Sequence, residues 1–282
     1  MNNPTAFYLN PLSKNGKGKK KWYVIDDFDY KKVYIRDCSK TVSTIQRTEE
    51  KRVIAVGGDG TINLVLNGAL LSKPKKQFGV LYSGTSPDFC KFHNIPIDEK
   101  KAISIIKQGE IKFVDVLYCE NSSTYFASSC NIGLGAKVAS TSNKIRKYFG
   151  DFIGTFISAV YAICTAKKFN LNLKLDNKTI QLESIYHLII LKNPFIASGL
   201  KLNLDIKEND GYLYIVAIKK HLIRSLFNLY KGKIPKDAFV DKGKKVHIVT
   251  TSRQQLEWDG DAKNIYTPVT IECKKEYLEL IA

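Results

Sequence analysis

Arg52-Val53-Ile54-Ala55-Val56-Gly57-Gly58-Asp59-Gly60-Thr61-Ile62-Asn63 is an apolar run that stops on two glycines and an aspartate and then alternates polar with apolar. Val53 to Val56 is short and β-branched, the pattern of a strand buried on both faces. The Gly-Gly pair that follows admits positive φ and lets a ligand approach the backbone. From Thr61 onward Ile62, Val65, Leu66, Ala69 and Leu70 recur at three- and four-residue spacing. That spacing predicts a helix with Asp59 or Thr61 as its N-cap. The segment reads strand, glycine turn, helix.

This order leaves amide N–H groups and the positive end of a helix dipole at the carboxyl end of a strand, where anions bind in open α/β sheets. An aspartate among them repels phosphate unless a hard cation such as Mg²⁺ stands between the two. The alternatives are an Asp-Gly turn without a ligand and a hairpin, which the helical spacing after the turn opposes.

On the amino-terminal side, Ala6 to Leu9 predicts a first strand. It runs into Asn10-Pro11-Leu12-Ser13-Lys14-Asn15-Gly16-Lys17-Gly18-Lys19-Lys20-Lys21, a loop that offers amides, a hydroxyl and ammonium groups to phosphate. It lacks the G-x-x-x-x-G-K-[ST] spacing, and a plain basic surface loop is its other reading. Val33 to Ile35 predicts a strand and Val42 to Lys51 a helix leading into the glycine stretch. Beyond the stretch, Phe78 to Tyr82 predicts a strand ending at Ser83-Gly84-Thr85-Ser86-Pro87-Asp88-Phe89. Asp98 to Gln108 then predicts a capped helix, and Phe113 opens another strand. Strands alternating with helices imply a parallel, doubly wound sheet. The loops at 10–21, 57–61 and 83–88 all follow strands, so they share one edge and form one composite site.

The second half has a different rhythm. After a helical stretch from Lys144 to Lys168, apolar runs at 169–175, 185–191, 212–218, 246–250 and 269–271 are separated by short polar turns. That density of strands predicts an antiparallel sandwich or barrel. Asn209-Asp210-Gly211 and Trp258-Asp259-Gly260-Asp261 are turns that carry carboxylates on loops. We place the boundary near residue 115, giving a nucleotide-binding unit at 1–115 and a β-rich substrate unit at 116–282, with the last residues able to pack back on the first.

The chain has 282 residues, 44% hydrophobic and 25% charged, the composition of an ordinary globular protein with an ample core. Lysine and arginine outnumber aspartate and glutamate by 44 to 27, a formal net charge of +17, so its partners should be negatively charged. No nucleic-acid-binding motif accompanies that charge, and no nucleic-acid partner is expected. Six cysteines show no C-x-x-C pair, which reads as reduced thiols and a cytoplasmic setting. The start has no signal-peptide pattern, and Phe149 to Ala166 is too short and too polar for a comfortable membrane span. His93, His187, His221 and His247 share no ligand spacing.

Asn10-Pro11-Leu12-Ser13, Gly57 to Asn63, Gly84 to Phe89 and Asp259-Gly260-Asp261 stand in the order and approximate spacing of the diacylglycerol kinase catalytic domain. The chain resembles the small soluble bacterial lipid kinases of that family, which is related to sphingosine and ceramide kinases. The resemblance implies a first domain of the phosphofructokinase and NAD-kinase type, a sandwich-like second domain, and ATP-dependent phosphorylation of a lipid hydroxyl. ATP would touch Asn10, Ser13, Gly57, Gly58, Asp59, Gly60, Thr61, Ile62, Asn63, Gly84 and Thr85. Asp59 would lie near the phosphates and Mg²⁺, Asp88 would face the substrate, and Asp261 would be the general base. The lipid would lie in the cleft against the strand-rich domain. A structural metal would fall on Asp210. The resemblance also brings a homodimer and peripheral contact with an anionic membrane into view. For that contact, Lys144 to Phe149 would supply basic and aromatic residues.

The sequence departs from the family at four places. Asp261 stands where Glu is usual, shortening the reach by about 1.5 Å, and a misplacement near 1 Å can cost roughly a hundredfold in rate. Leu64 replaces a usual Glu and Pro87 a usual Asn. Lys207 takes the position of the second metal carboxylate, three residues before Asp210. These departures leave a catalytically silent lipid-binding relative in play, and the Gly-Gly-Asp-Gly-Thr loop, which NAD kinases share, leaves an enzyme of that kind in play.

Overall fold

The structure, a computed structural model, describes residues 4–13, 16, 18, 22–26, 30–149, 151–196, 199–259 and 261–282. The side chains of residues 26, 143, 144, 146–149, 151–153, 155, 156, 261 and 262 are not among those described.

The amino-terminal half alternates strand and helix. Strands β1 (Thr5–Leu9), β2 (Lys31–Tyr34), β3 (Arg52–Gly57) and β4 (Gln77–Tyr82) pair in parallel in the order β2-β1-β3-β4. Helices α1 (Tyr23–Asp26), α2 (Cys38–Arg47), α3 (Asp59–Leu71), α4 (Asp88–Phe92) and α5 (Glu99–Gln108) connect or cover them. Alternate residues of β1 and β3 point to opposite faces, and both faces are apolar. Ala6, Tyr8, Val53 and Ala55 pack with Ile45, Ile62, Val65 and Leu66 of α2 and α3. Phe7, Leu9, Ile54 and Val56 pack with Ile25, Ala102, Ile103 and Ile106 of α1 and α5. That double burial is why the strands read as continuous apolar runs and why the sheet is doubly wound. The helix at 99–108 starts at the predicted Asp98 cap, whose carboxylate accepts from the Lys101 amide.

β5 (Ile111–Cys119) and β6 (Thr124–Phe126) lead into the second half, so the expected boundary at residue 115 falls inside a strand. Then come β7 (Ser129–Gly133), helices α6 (Leu134–Phe149) and α7 (Asp151–Cys164), β8 (Phe169–Leu175), β9 (Lys178–Ile185) and β10 (His187–Leu191). A small ribbon, β11 (Phe195–Ile196) with β12 (Leu200–Lys201), precedes β13 (Leu213–Ile218), α8 (Leu222–Tyr230) and β14 (Phe239–Gly243). The chain closes with β15 (Lys245–Thr250), β16 (Gln255–Trp258), β17 (Asp261–Tyr266) and β18 (Val269–Ile281).

One sheet, β14-β13-β10-β7-β16-β17, packs on the β15-β8-β9 end of the other through Ile132, Leu171, Leu188, Ile215, Ile248 and Trp258. The second half is therefore a sandwich, and one of its layers continues into the parallel sheet. The join is β18. The sequence predicts this strand only at 269–271, short of the charged run Lys274-Lys275-Glu276. Instead the strand passes through an irregularity between Lys274 and Leu278, with Glu276 at φ 48°, and carries on to Ile281. Its far end lies parallel to β4 at Leu280 and Phe78. A bulge of this kind bends a strand and lets one chain segment serve two layers.

The predicted helical stretch from Lys144 to Lys168 is two helices, and the first begins ten residues earlier, at Leu134. Gly135, Ala136, Ala139 and Ser140 in its first turns are small and weaken the apolar periodicity. No helix among the described residues is long and apolar enough to cross a membrane.

Candidate active site

The three loops that follow β1, β3 and β4 converge. The Asn10 amide donates to Val56 O (3.1 Å) and its side-chain Nδ2 to Thr61 Oγ1 (2.9 Å). The Ser83 amide donates to Gly57 O (2.8 Å), and the hydroxyls of Ser13 and Ser83 lie 3.1 Å apart. So Asn10, Ser13, Thr61 and the Gly57 and Gly84 loops form one surface, as their shared edge requires.

The glycines act through space rather than through backbone sign. Neither Gly57, Gly58, Gly60 nor Gly84 has a positive φ, which corrects the expectation drawn from the Gly-Gly pair. A Cβ on Gly84 would stand 2.6 Å from the Cα of Gly58 and 2.6 Å from the Tyr82 hydroxyl. Two main chains touch there with no room for a side chain. At Gly60, by contrast, an added Cβ would meet nothing within 4 Å, so this face of the loop is open.

The helix cap is also corrected. The N-cap of α3 is Gly58, and no side chain caps it; neither Asp59 nor Thr61 does so. Thr61 is the third helical residue, and its hydroxyl is engaged with Asn10. Among the described residues no side chain caps this start, and with the Thr61 and Ile62 amides donating to Gly58 O (2.9 and 3.0 Å) it presents the positive end of the helix dipole beside the open space over Gly60.

Asp59 opens that helix and is pushed up to about 8 from an ordinary 3.8. Burial is the main cause, followed by the negative charges of Asp259 and Asp88. Thus the structure brings Asp59, from the amino-terminal half, together with Asp259, two hundred residues away, and with Asp88 at the start of α4. The Asp88 side chain accepts from Ser86 Oγ (3.2 Å), and its carbonyl accepts from Asn193 Nδ2 (3.0 Å). Gly84 is half-buried and Thr85 exposed beside them.

Asp259 lies at this site, although the sequence reading gave Asp261 rather than Asp259 a role there. Its φ is 50°, and its two carboxylate oxygens accept from three successive amides, Ala127 (2.8 Å), Ser128 (3.0 Å) and Ser129 (2.9 Å). Burial works to raise its pKa, while these amides and the Asn63 side chain favour its charged form. Among the described residues Asp59 has no such set of amide donors, its own amide apart, and burial together with the charges of Asp259 and Asp88 holds its carboxyl above the ordinary range. Asn63 thereby ties α3 to the second half. Four residues on, Asn67 makes a reciprocal pair with Tyr125, Nδ2 to O and N to Oδ1, both 2.8 Å. The signal for both asparagines was present in the sequence, since a buried helix face that carries Asn at i and i+4 needs partners.

Asp261 pairs in register with Trp258 at the start of β17, while its side chain lies outside the described residues. Gly260 lies outside them too, as do Lys14, Lys17, Lys19, Lys20 and Lys21 of the first loop. Asp210, the expected metal ligand, is bound instead by an ammonium group: Lys192 Nζ stands 2.5 Å from its Oδ1. Its other oxygen accepts from the Tyr214 hydroxyl (2.7 Å).

Residues 5–119 match the diacylglycerol kinase catalytic domain, and residues 128–282 match the YegS C-terminal NAD kinase beta sandwich-like domain. The chain belongs to the family that joins a diacylglycerol kinase catalytic domain to a YegS C-terminal domain, the second of which matches more than half of it. A diacylglycerol kinase from Staphylococcus saprophyticus is 28% identical over 216 residues, spanning 74% of this chain and 70% of that protein. One from Staphylococcus aureus is 29% identical over 216 residues, 74% of this chain and 67% of the relative. The fold is that of a diacylglycerol kinase structure from Bacillus anthracis, with a TM-score of 0.76 at 18% identity over 99% of this chain and 96% of that one. A second structure from the same organism gives a TM-score of 0.82 at 20% identity, over 99% and 97% of the two chains. The family membership makes this protein a kinase of the lipid kinase type.

Proposed function

We propose that the protein transfers the γ-phosphoryl group of ATP to a hydroxyl of a diacylglycerol-like or other long-chain lipid. The observation that carries this reading is the meeting of Asp59, Asp88 and Asp259 beside an uncapped helix start and the Gly58–Gly84 contact. The positive end of the helix dipole favours the phosphate oxygens of a nucleotide at this start. Asn10 and Thr61 hold the loop in register, and the open space over Gly60 admits the phosphates.

Mg²⁺ fits this donor set. Burial and the charges of Asp259 and Asp88 raise the cost of ionising Asp59, and a divalent cation would offset that cost. Among the described residues no three His, Cys, Asp or Glu side chains are set to hold a metal alone. The ion would therefore complete its shell with nucleotide phosphate oxygens, the usual manner of Mg²⁺ at such sites. It would supply neutralisation of the charge that builds up on the transferring group. Asp59 accepts its charged form when the nucleotide arrives, Asp259 holds the 127–129 turn, and Asp261 takes the proton of the attacking hydroxyl.

A lipid substrate brings the protein to a membrane surface. In support, α8 exposes Ile223 (75%), Phe227 (55%) and Tyr230 (69%) on one face, at spacings of four and three. Lys219, Lys220, Arg224, Lys231 and Lys233 surround them with no acidic residue between. Apolar side chains ringed by basic ones suit an anionic bilayer. The side chains of Lys144 and of Arg146 to Phe149, expected to serve this role, lie outside the described residues.

The test is phosphoryl transfer from labelled ATP with Mg²⁺ to a panel of lipids in mixed micelles, with NAD as a parallel acceptor. Transfer to a lipid that Asp261→Ala abolishes is the expected result. Transfer to NAD alone would replace this reading with an NAD kinase, and no transfer at all with a silent binding protein.

A further inference from the structure

Lys192 is 1% exposed, follows the last residue of β10, and lies where the two halves of the chain meet. Its ammonium has three acceptors: Asp115 Oδ2 at 2.7 Å, Asp210 Oδ1 at 2.5 Å and the Tyr212 carbonyl at 3.2 Å. Three acceptors match the three N–H donors of a lysine. Asp115 sits in β5 of the large sheet, and Asp210 in the turn before β13 of the other.

Both carboxylates are otherwise saturated. Asp115 accepts from the amides of Gly211 (2.7 Å) and Glu276 (2.7 Å), the latter within the irregular part of β18. Asp210 accepts from the Tyr212 amide (3.0 Å) and the Tyr214 hydroxyl. Around them the 204–211 segment is fastened twice more, by Glu208 to Lys112 (2.8 Å) and to His93 (2.9 Å). Lys192 also leads directly to the candidate active site. Its amide donates to Ser128 O, next to the turn held by Asp259, and Asn193 donates to Asp88 O.

The point occupied by Nζ lies 2.5 to 2.7 Å from two carboxylate oxygens, within about 0.4 Å of calcium–oxygen distances. A divalent ion held by Asp210 Oδ1 and Asp115 Oδ2 would have to occupy this same place. The residues do not fit it: Lys207 supplies an ammonium where a second carboxylate would be needed, and Lys192 fills the centre. We infer that Lys192 is the resident cation of this junction, so that the chain joins its two halves and positions Asp88 and the 127–129 turn without a structural metal.

Two carboxylates that share one buried cation repel each other once it is removed, and breaking such a group costs far more than replacing it whole. The full-length protein would be melted in EDTA and in millimolar Mg²⁺ or Ca²⁺, without nucleotide. The wild-type Tm is expected to show no rise that depends on Asp210. Lys192→Met should lose about 10 °C in EDTA and regain part of it in Ca²⁺. Lys192→Met combined with Asp115→Asn and Asp210→Asn should recover at least half the loss without any metal. The inference is overturned by a wild-type Tm that rises with Mg²⁺ or Ca²⁺ and loses that rise in Asp210→Asn. It is overturned equally by a triple variant no more stable in EDTA than Lys192→Met. If Lys192→Met fails to fold, the wild-type and Asp210→Asn titrations still decide, and a folded triple variant counts in favour.

Discussion

A Cβ on Gly84 would stand 2.6 Å from the Cα of Gly58, so the loops after β3 and β4 are in main-chain contact. Backbone cannot swing aside as the end of a long side chain can. Gly84→Ala must push the two loops apart. We expect its nucleotide KM to rise at least tenfold, since a displacement near 1 Å at such a site costs about a hundredfold in rate. Initial-rate kinetics with varied ATP would measure it.

Gly60 gives the complementary experiment. Nothing lies within 4 Å of an added Cβ, and Gly60 is the second residue of α3. Alanine in a helix is more favourable than glycine by roughly 0.5–1 kcal/mol. Gly60→Ala should therefore melt at the wild-type temperature or slightly above it. If the open space is where phosphates lie, the same variant binds nucleotide at least tenfold more weakly. Unchanged binding would remove the nucleotide from this face of the loop.

The pH behaviour of the nucleotide-free protein follows from Asp59. Its pKa is about 8 when folded and ordinarily 3.8. Between those values the folded chain keeps a proton that the unfolded chain has released, so this group's contribution to stability falls as pH rises from about 4 to 8. Asp59→Asn should flatten that part of the stability profile and raise the Tm at pH 8. Binding of Mg²⁺ and ATP at pH 7 should expel close to one proton, which calorimetry in two buffers of different ionisation heat would show. The Asn variant should expel none.

The parallel half of the fold is legible because β1, β3 and β4 are buried on both faces and their helices carry clear periodicity. Burial on one face would have left weaker signals. β18 is misread because Lys274-Lys275-Glu276 looks like a strand end, whereas Asp115 holds the Glu276 amide and carries the strand through an irregularity. Local sequence does not announce a long-range support of that kind. That the loops after β1, β3 and β4 meet is legible because glycine, serine and asparagine follow the strands there. Lys192 is not, since a lysine after an apolar strand ordinarily marks a surface end, and only the three-dimensional meeting of Asp115 and Asp210 explains its burial. The carboxylate reading was half complete: Asp259-Gly260-Asp261 stood out as a block, but which aspartate anchors the backbone depends on amides 130 residues away.

Asp259 and Asp261 should separate cleanly by experiment. The Asp259 carboxylate satisfies three successive amides, and Asp259→Ala leaves those donors without an acceptor beside an already crowded pair of carboxyls. Unsatisfied buried donors cost about 1–3 kcal/mol each, less where water can enter, so a net loss on the order of 3 kcal/mol is expected. The Tm should fall by several degrees, and activity should fall with it because the 127–129 turn loosens. Asp261 begins β17, and if its side chain serves the reaction rather than the backbone, Asp261→Ala should keep the wild-type Tm. If Asp261 takes the hydroxyl proton, its loss lowers kcat by roughly 10²–10⁴ while the nucleotide Kd stays the same. Equal melting losses in the two variants would make Asp261 a structural turn residue, and the proton acceptor would have to be sought among Asp88 and Asp59.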